Sequence, residues 1–262
     1  MSTRYRPDLV TDELIALTRR LGALENDLVI LAEGNTSELM GNDIVVKASG
    51  SSMREAGIST FVASDIASLT TLLDDPQTNQ DALTAALDAG STEVGPLRAS
   101  IEALVHVAVR SIAPVRFVAH THPTAVVSLL ASVRAESAFD EPVYSEELMV
   151  LGRPLFVPYA EPGLGLGRQF VVKLREYATT YGELPSLVLL GNHGIVAISH
   201  TAEGIEAISA MAVKSARVRL GALQAGGMVT LDQETTGDYF RREDFASRRS
   251  SLAGVSRAGG NA

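Results

Sequence analysis

Apolar positions along the chain alternate between two spacings, and the alternation predicts its elements. "DELIALTRRLGAL" (12–24) carries apolar residues at helical intervals, with Thr11 or Asp12 available to cap its start. "DIVVKASG" reads as a strand running into a glycine turn, and "STFVASDIASLTTLL" as a strand followed by a helix. Residues 74–95 are polar and acidic, with a short helical pattern in "DALTAALDAG", and are expected to form a surface excursion. Beyond them, "ASIEALVHVAVRSI" predicts a helix, "VRFVAH" a strand, and "PTAVVSLLASV" a helix with proline in its first turn. "RPLFVPYA" predicts a strand and "LGRQFVVKLREYATTYG" a helix closed by glycine. "SLVLLGN" and "GIVAIS" predict a hairpin across Asn192 and His193, and "TAEGIEAISAMAVKSARVRLGALQAGG" a long final helix. Strands interleaved with helices in this way predict a single α/β domain with helices covering a sheet.

Composition narrows the picture. Of 262 residues, 46% are apolar, enough for a substantial core, and with no tryptophan that core is aliphatic. A net charge of −9 argues against general binding to nucleic acid or an anionic membrane. The absence of cysteine excludes disulfides, thiolate metal sites and a cysteine nucleophile. The start, "MSTRYRPDLVTDE", lacks a signal-peptide core, and no apolar run approaches the roughly 20 residues needed to cross a bilayer. A cytoplasmic location is expected. After Met228 the character changes, and 229–262 is expected to be a partly flexible tail, polar and glycine-rich at its end.

Candidate chemistry centres on the five histidines. In "VAHTHP", His120 and His122 stand two apart, so in an extended segment both imidazoles leave one face and can share a metal ion. His193, in "LLGNHGIV", offers a third imidazole at another strand end. Three ligands with one position left open is the arrangement of catalytic zinc, although imidazole also suits manganese, cobalt, nickel and iron. Glu102 and His106 stand four apart in "SIEALVH", and on a helix they share a face. If that face meets the strand of His120, Glu102 can serve as a ligand or a general base. Gly34 and Asn35, and Ser49 and Gly50 with Lys47 nearby, lie in turns whose N–H groups can face an anion. "PGLGLGR" does not meet the dinucleotide pattern, because Arg168 stands where its last glycine belongs, and a helix-start turn is expected there.

"EGNTSEL", "VKASGSSM", "SIEALVH", "VAHTHP", "VPYAEPG" and "LLGNHGIV" together resemble, in this order, the class II aldolase/adducin family. The resemblance covers roughly residues 10–225 and is nearest to the aldolase domain of bifunctional rhamnulose-phosphate aldolase/dehydrogenases. It implies a three-layer α/β/α fold with a central mixed, largely antiparallel sheet over residues 1–228. It further implies zinc (or manganese or cobalt) on His120, His122 and His193, with Glu102 as the acid/base that can also ligate the metal. His106 matches a position that is not a usual ligand, and either supports the site or packs. The family's phosphate turns fall on Gly34, Asn35, Lys47, Ser49 and Gly50. Ser100 matches the first of a serine pair, whose second hydroxyl is replaced here by Ile101. Tyr159 matches a tyrosine that donates a proton in a neighbouring subunit's site.

The implied reaction cleaves a phosphorylated ketose or deoxyketose to dihydroxyacetone phosphate and an aldehyde through a metal-stabilised enediolate. Decarboxylation, dehydration or epimerisation of a sugar-acid or sugar phosphate is the alternative, and Glu102 disfavours the epimerases, which tend to carry aspartate there. An adducin-like interaction module would not need all three histidines and the glutamate. The resemblance also implies a homotetramer acting on a small-molecule substrate. His200 is expected at the surface or at a helix start, and "DYFRREDF" to pack on the surface or stay disordered.

Overall fold

The computed structural model describes residues 2–93, 95–245 and 247–248. Its elements run β1 (Thr3–Arg4), α1 (Asp12–Leu21), β2 (Asn35–Met40), β3 (Asp43–Lys47), β4 (Phe61–Asp65), α2 (Ile66–Asp74) and α3 (Gln80–Leu87). They continue with β5 (Asp88–Thr92), β6 (Gly95–Arg98), α4 (Ala103–Arg110), β7 (Phe117–Thr121), α5 (Thr124–Leu130) and α6 (Ser145–Leu151). The last are β8 (Leu155–Val157), α7 (Leu164–Tyr181), β9 (Leu187–Leu190), β10 (Gly194–Ser199), α8 (Ala202–Gln224) and α9 (Gln233–Arg241).

Among the described residues, eight strands form one sheet in the order β1-β4-β3-β2-β7-β10-β9-β8. Its neighbours pair antiparallel except β8 and β9, which are parallel. Consecutive strand residues point to opposite faces, so a strand covered on both sides is apolar throughout. Val118, Val188, Val196 and Ile198 enter one core with Leu69, Leu83, Leu104 and Phe170 from α2, α3, α4 and α7. Phe117, Leu187, Ile195 and Ala197 enter the other with Leu17, Leu129, Leu151 and Ile208 from α1, α5, α6 and α8. The expected three-layer α/β/α architecture, with its mixed and largely antiparallel sheet, is therefore observed.

Local chemistry sets the element ends. Thr11 caps α1 through Leu14 N, and Thr201 caps α8 through Gly204 N. Gly182, at φ 72°, closes α7 in the left-handed conformation. Pro123 sits at the N-cap of α5 in extended geometry, just before the expected first turn. Residues 74–95 differ from the expected surface excursion. Leu83 and Leu87 of α3 are buried in the main core, because α3 lays its apolar face against α2. β2 has no counterpart among the expected elements, and α9 occupies part of the expected tail. The end of that tail, 249–262, lies outside the described residues.

Candidate metal centre

The site grows from the pairing of three strands. In the register of β7, His120 stands opposite Asn35 of β2 and opposite Val196 of β10, so the three share one sheet face. His122 follows just past the strand end, and its backbone N–H is held by Leu28 O at 2.8 Å. His193 comes from the β9–β10 turn, where Asn192 takes φ 52°. Glycine at 194 permits the approach: a Cβ there would lie 2.4 Å from Thr121 O and 2.7 Å from His122 Cδ2. Gly34, at φ +69°, plays the same part on the other side, where a Cβ would lie 2.5 Å from Val29 Cγ1 and 3.0 Å from His120 O.

Glu102 stands at the N-cap of α4 rather than within the helix, because the turn from Ser100 leads in just ahead of it. Its Oε1 lies 2.9 Å from His193 Nε2 and its Oε2 3.3 Å from His120 Nε2. His120 and His122 face each other with their Nε2 atoms 2.9 Å apart. One ligand atom from each of Glu102, His120, His122 and His193 lies within 4.8 Å of the others.

These residues fit a divalent cation on the disposition of their protons. His120 Nδ1–H donates to Ile195 O at 2.9 Å, and His122 Nδ1–H donates to Glu33 Oε2 at 3.0 Å. Both Nε2 lone pairs are thereby aimed into one gap, which without a cation has room for a single shared proton. Four ligands about 2 Å from a tetrahedral ion are about 3.3 Å from one another, close to the separations here. Burial depresses His122, with His120 adding to the effect. Burial also works to depress His120, but Glu102 outweighs it and raises that ring. Burial would raise the Glu102 carboxyl, yet His120 and His193 hold it well below the usual carboxylate range, so at neutral pH it is ionised.

Around these four lie further groups, of which Glu33 is absent from the sequence candidates. Glu33 orients His122 and accepts the Ile30 N–H at 2.7 Å. Asn35, expected in an anion-facing turn, begins β2 instead. It is 1% exposed, and its Nδ2 donates to Glu102 Oε2 at 3.0 Å and Ser100 Oγ at 3.3 Å. Lys47 is buried, and its ammonium donates to the carbonyls of Ala32 (3.2 Å), Ala48 (3.3 Å) and Ser51 (2.5 Å). Its three protons thus tie two loops together. Burial lowers its pKa to about 8 despite the attraction of Glu102.

The N–H of Ser49, expected to face an anion, is instead given to Arg98 O at 2.9 Å, while Gly50 stands exposed at φ +79° beside open space. Ile101 turns from the site into the core, where a Cβ on Gly163 would lie 2.9 Å from its Cδ1. Tyr159 is 60% exposed, with its backbone beside Gly191 of the β9–β10 turn. No hydrogen bond holds the Tyr159 hydroxyl among the described residues. His200 directly precedes the cap of α8, and no described helix is long and apolar enough to cross a membrane.

Residues 12–220 match the family model described as the class II aldolase and adducin N-terminal domain. No curated protein matches the chain by sequence. Among solved structures, the chain is similar to the N-terminal class II aldolase domain of a conserved Thermoplasma acidophilum protein. That match has a TM-score of 0.59 at 20% identity and covers 80% of this chain and 92% of the other. It is also similar to L-fuculose-1-phosphate aldolase from Thermus thermophilus, with TM-score 0.59 and 18% identity over 83% and 99% of the two chains. A third is YgbL from Klebsiella pneumoniae, for which aldolase, epimerase and decarboxylase are all named as candidate activities. Its TM-score is 0.63 at 15% identity over 88% and 98%. At these identities the likeness is one of fold.

Proposed function

The chain belongs to the class II aldolase and adducin family, and we propose that it is a metal-dependent carbon–carbon lyase. Its substrate in this reading is a phosphorylated ketose or deoxyketose, cleaved to dihydroxyacetone phosphate and an aldehyde. The observation that carries the reading is the convergence of His120, His122, His193 and Glu102 within 4.8 Å. An interaction module has no use for a partly buried, charge-focused cluster of this kind.

The three imidazoles would hold the ion, zinc in this proposal, with manganese or cobalt as substitutes. When bound, it supplies Lewis-acid stabilisation of the negative charge that develops on substrate oxygen as the bond beside the carbonyl breaks. Neutral ligands leave the ion's positive charge undiminished. Glu102 moves the proton on the carbon next to that carbonyl. One of its oxygens is pinned by Asn35, and the other lies beside His193. The hydroxyls of Ser49 and Ser100, the Gly34 and Gly50 turns and the charge of Lys47 receive the substrate's anionic end. In this proposal Tyr159, exposed and with no hydroxyl hydrogen bond among the described residues, serves a neighbouring copy in a cyclic tetramer and donates a proton on the aldehyde side.

Ile101 favours a second reading. It buries a hydrocarbon side chain where the resemblance implies a second hydroxyl, so the anion subsite has one donor fewer than a phosphate would use. A carboxylate-bearing substrate and decarboxylation suit that subsite.

Metal analysis joined to a screen of phosphorylated and unphosphorylated ketoses and keto acids separates the two. Release of dihydroxyacetone phosphate supports the lyase, and release of carbon dioxide the second reading. Neither product from a metal-loaded sample defeats both.

A further inference from the structure

We propose that His106, backed by Ser37, is a positioning residue that locks the Asn35 amide with its N–H donors facing Glu102. The proposal rests on the reading of Glu102 as the proton-moving group.

Asn35 and Ser37 are two apart on β2 and share the face that packs on α4, from which His106 reaches between them. All three are buried, His106 and Ser37 fully and Asn35 to 1% exposure, so water is not at hand to replace a lost partner. The proton count then has one solution. The carboxylate of Glu102 has no proton, so the Asn35 atom 3.0 Å from its Oε2 must be the NH2 group. The amide oxygen consequently faces His106 Nε2, which must carry a proton to donate. Burial, reinforced by the nearby Arg110 charge, keeps the ring neutral, so it has only one proton to place. Nδ1 is left bare and accepts the Ser37 hydroxyl at 2.6 Å.

Donors thus run one way, from Ser37 to His106 to Asn35 to Glu102. The opposite tautomer would place its proton towards Ser37 and demand an N–H from Asn35. The amide would then turn its oxygen on the carboxylate, setting a buried acceptor against a partly buried one. Arg110 fixes the frame by donating to the carbonyls of His106 and Ser37, both at 3.2 Å.

The test uses the zinc-loaded full chain with isotope-labelled histidine. A long-range proton–nitrogen correlation spectrum distinguishes the two neutral tautomers and the imidazolium, and the His106 signal is identified by its loss in His106→Gln. The expected result is the Nε2–H tautomer across roughly pH 6 to 9. In kinetics, His106→Leu is expected to lower kcat about 10–100-fold, with zinc content kept and KM within about twofold. His106→Gln, whose amide can donate to Asn35, is expected to recover most of the loss. An Nδ1–H or imidazolium signal overturns the proposal, as does a His106→Leu protein with the parent kcat. If His106→Leu does not fold, the tautomer in the parent protein still decides. An Nε2–H signal in a chain inactive on every compound screened defeats the lyase reading and leaves the orientation of Asn35 standing.

Discussion

Glu33 accepts the Nδ1–H of His122 at 3.0 Å across 89 residues of sequence. The carboxylate fixes the ring's tautomer and increases the basicity of the Nε2 that faces the centre. Removing it with Glu33→Ala is expected to weaken metal binding about 10–100-fold while leaving the fold intact. Competition with a chelator of known affinity measures this, and unchanged affinity would show that Glu33 is only a loop fastening.

Lys47 predicts a pH dependence of stability. Its pKa falls from 10.5 to about 8 on folding, so between these values the unfolded chain binds more protons than the folded one. Stability therefore rises with pH in that window. The contribution of this group is fully present above the upper value and is lost as pH falls through about 8. The difference in unfolding free energy between parent and Lys47→Met should climb from pH 8 towards 10 and stay flat below pH 7, by roughly 3 kcal/mol at most. Urea titrations across the range test it, and a level difference would mean that the ammonium keeps its ordinary affinity.

Two glycines with positive φ should respond differently to alanine. Gly50→Ala meets open space and should cost only the left-handed backbone penalty, about 1 kcal/mol. Gly34→Ala meets Val29, Met53 and the His120 carbonyl, and should cost about 2 kcal/mol more. Equal midpoint shifts in denaturant would contradict the close approach at Gly34.

Tyr159→Phe removes a hydroxyl with no partner among the described residues, so stability should stay within about 0.5 kcal/mol of the parent. Turnover should nevertheless fall. Co-assembly of Tyr159→Phe with Glu102→Gln chains should return part of the lost activity, since mixed oligomers contain some sites with neither lesion. Absence of any recovery would argue against service to a neighbouring copy.

The histidine trio is legible in the sequence because the strands bearing it are buried on both faces and so appear as apolar runs, each ending at an imidazole. β2 is not legible, for a physical reason. "NTSELM" is mostly polar, and its side chains are satisfied by groups remote in sequence: Thr36 by Thr18, Ser37 by His106, and Glu38 by Thr11 and Arg116. Apolar periodicity carries no trace of such pairs. Glu33 escapes notice similarly, since only tertiary structure brings it to His122. The spacing of Glu102 and His106 is informative although Glu102 stands at the position just before the helix instead of within it, because both still meet Asn35.

Strand β7 divides the sheet, with β1, β4, β3 and β2 on one side and β10, β9 and β8 on the other. His120 lies on this seam, Asn35 borders it from one half and His193 from the other. An ion held here would act as a rivet, adding its binding free energy to whatever holds the halves together. Stripping it with a chelator should hasten amide hydrogen exchange in the middle strands, where a sheet is ordinarily most protected, so that the protein loosens from its centre outwards.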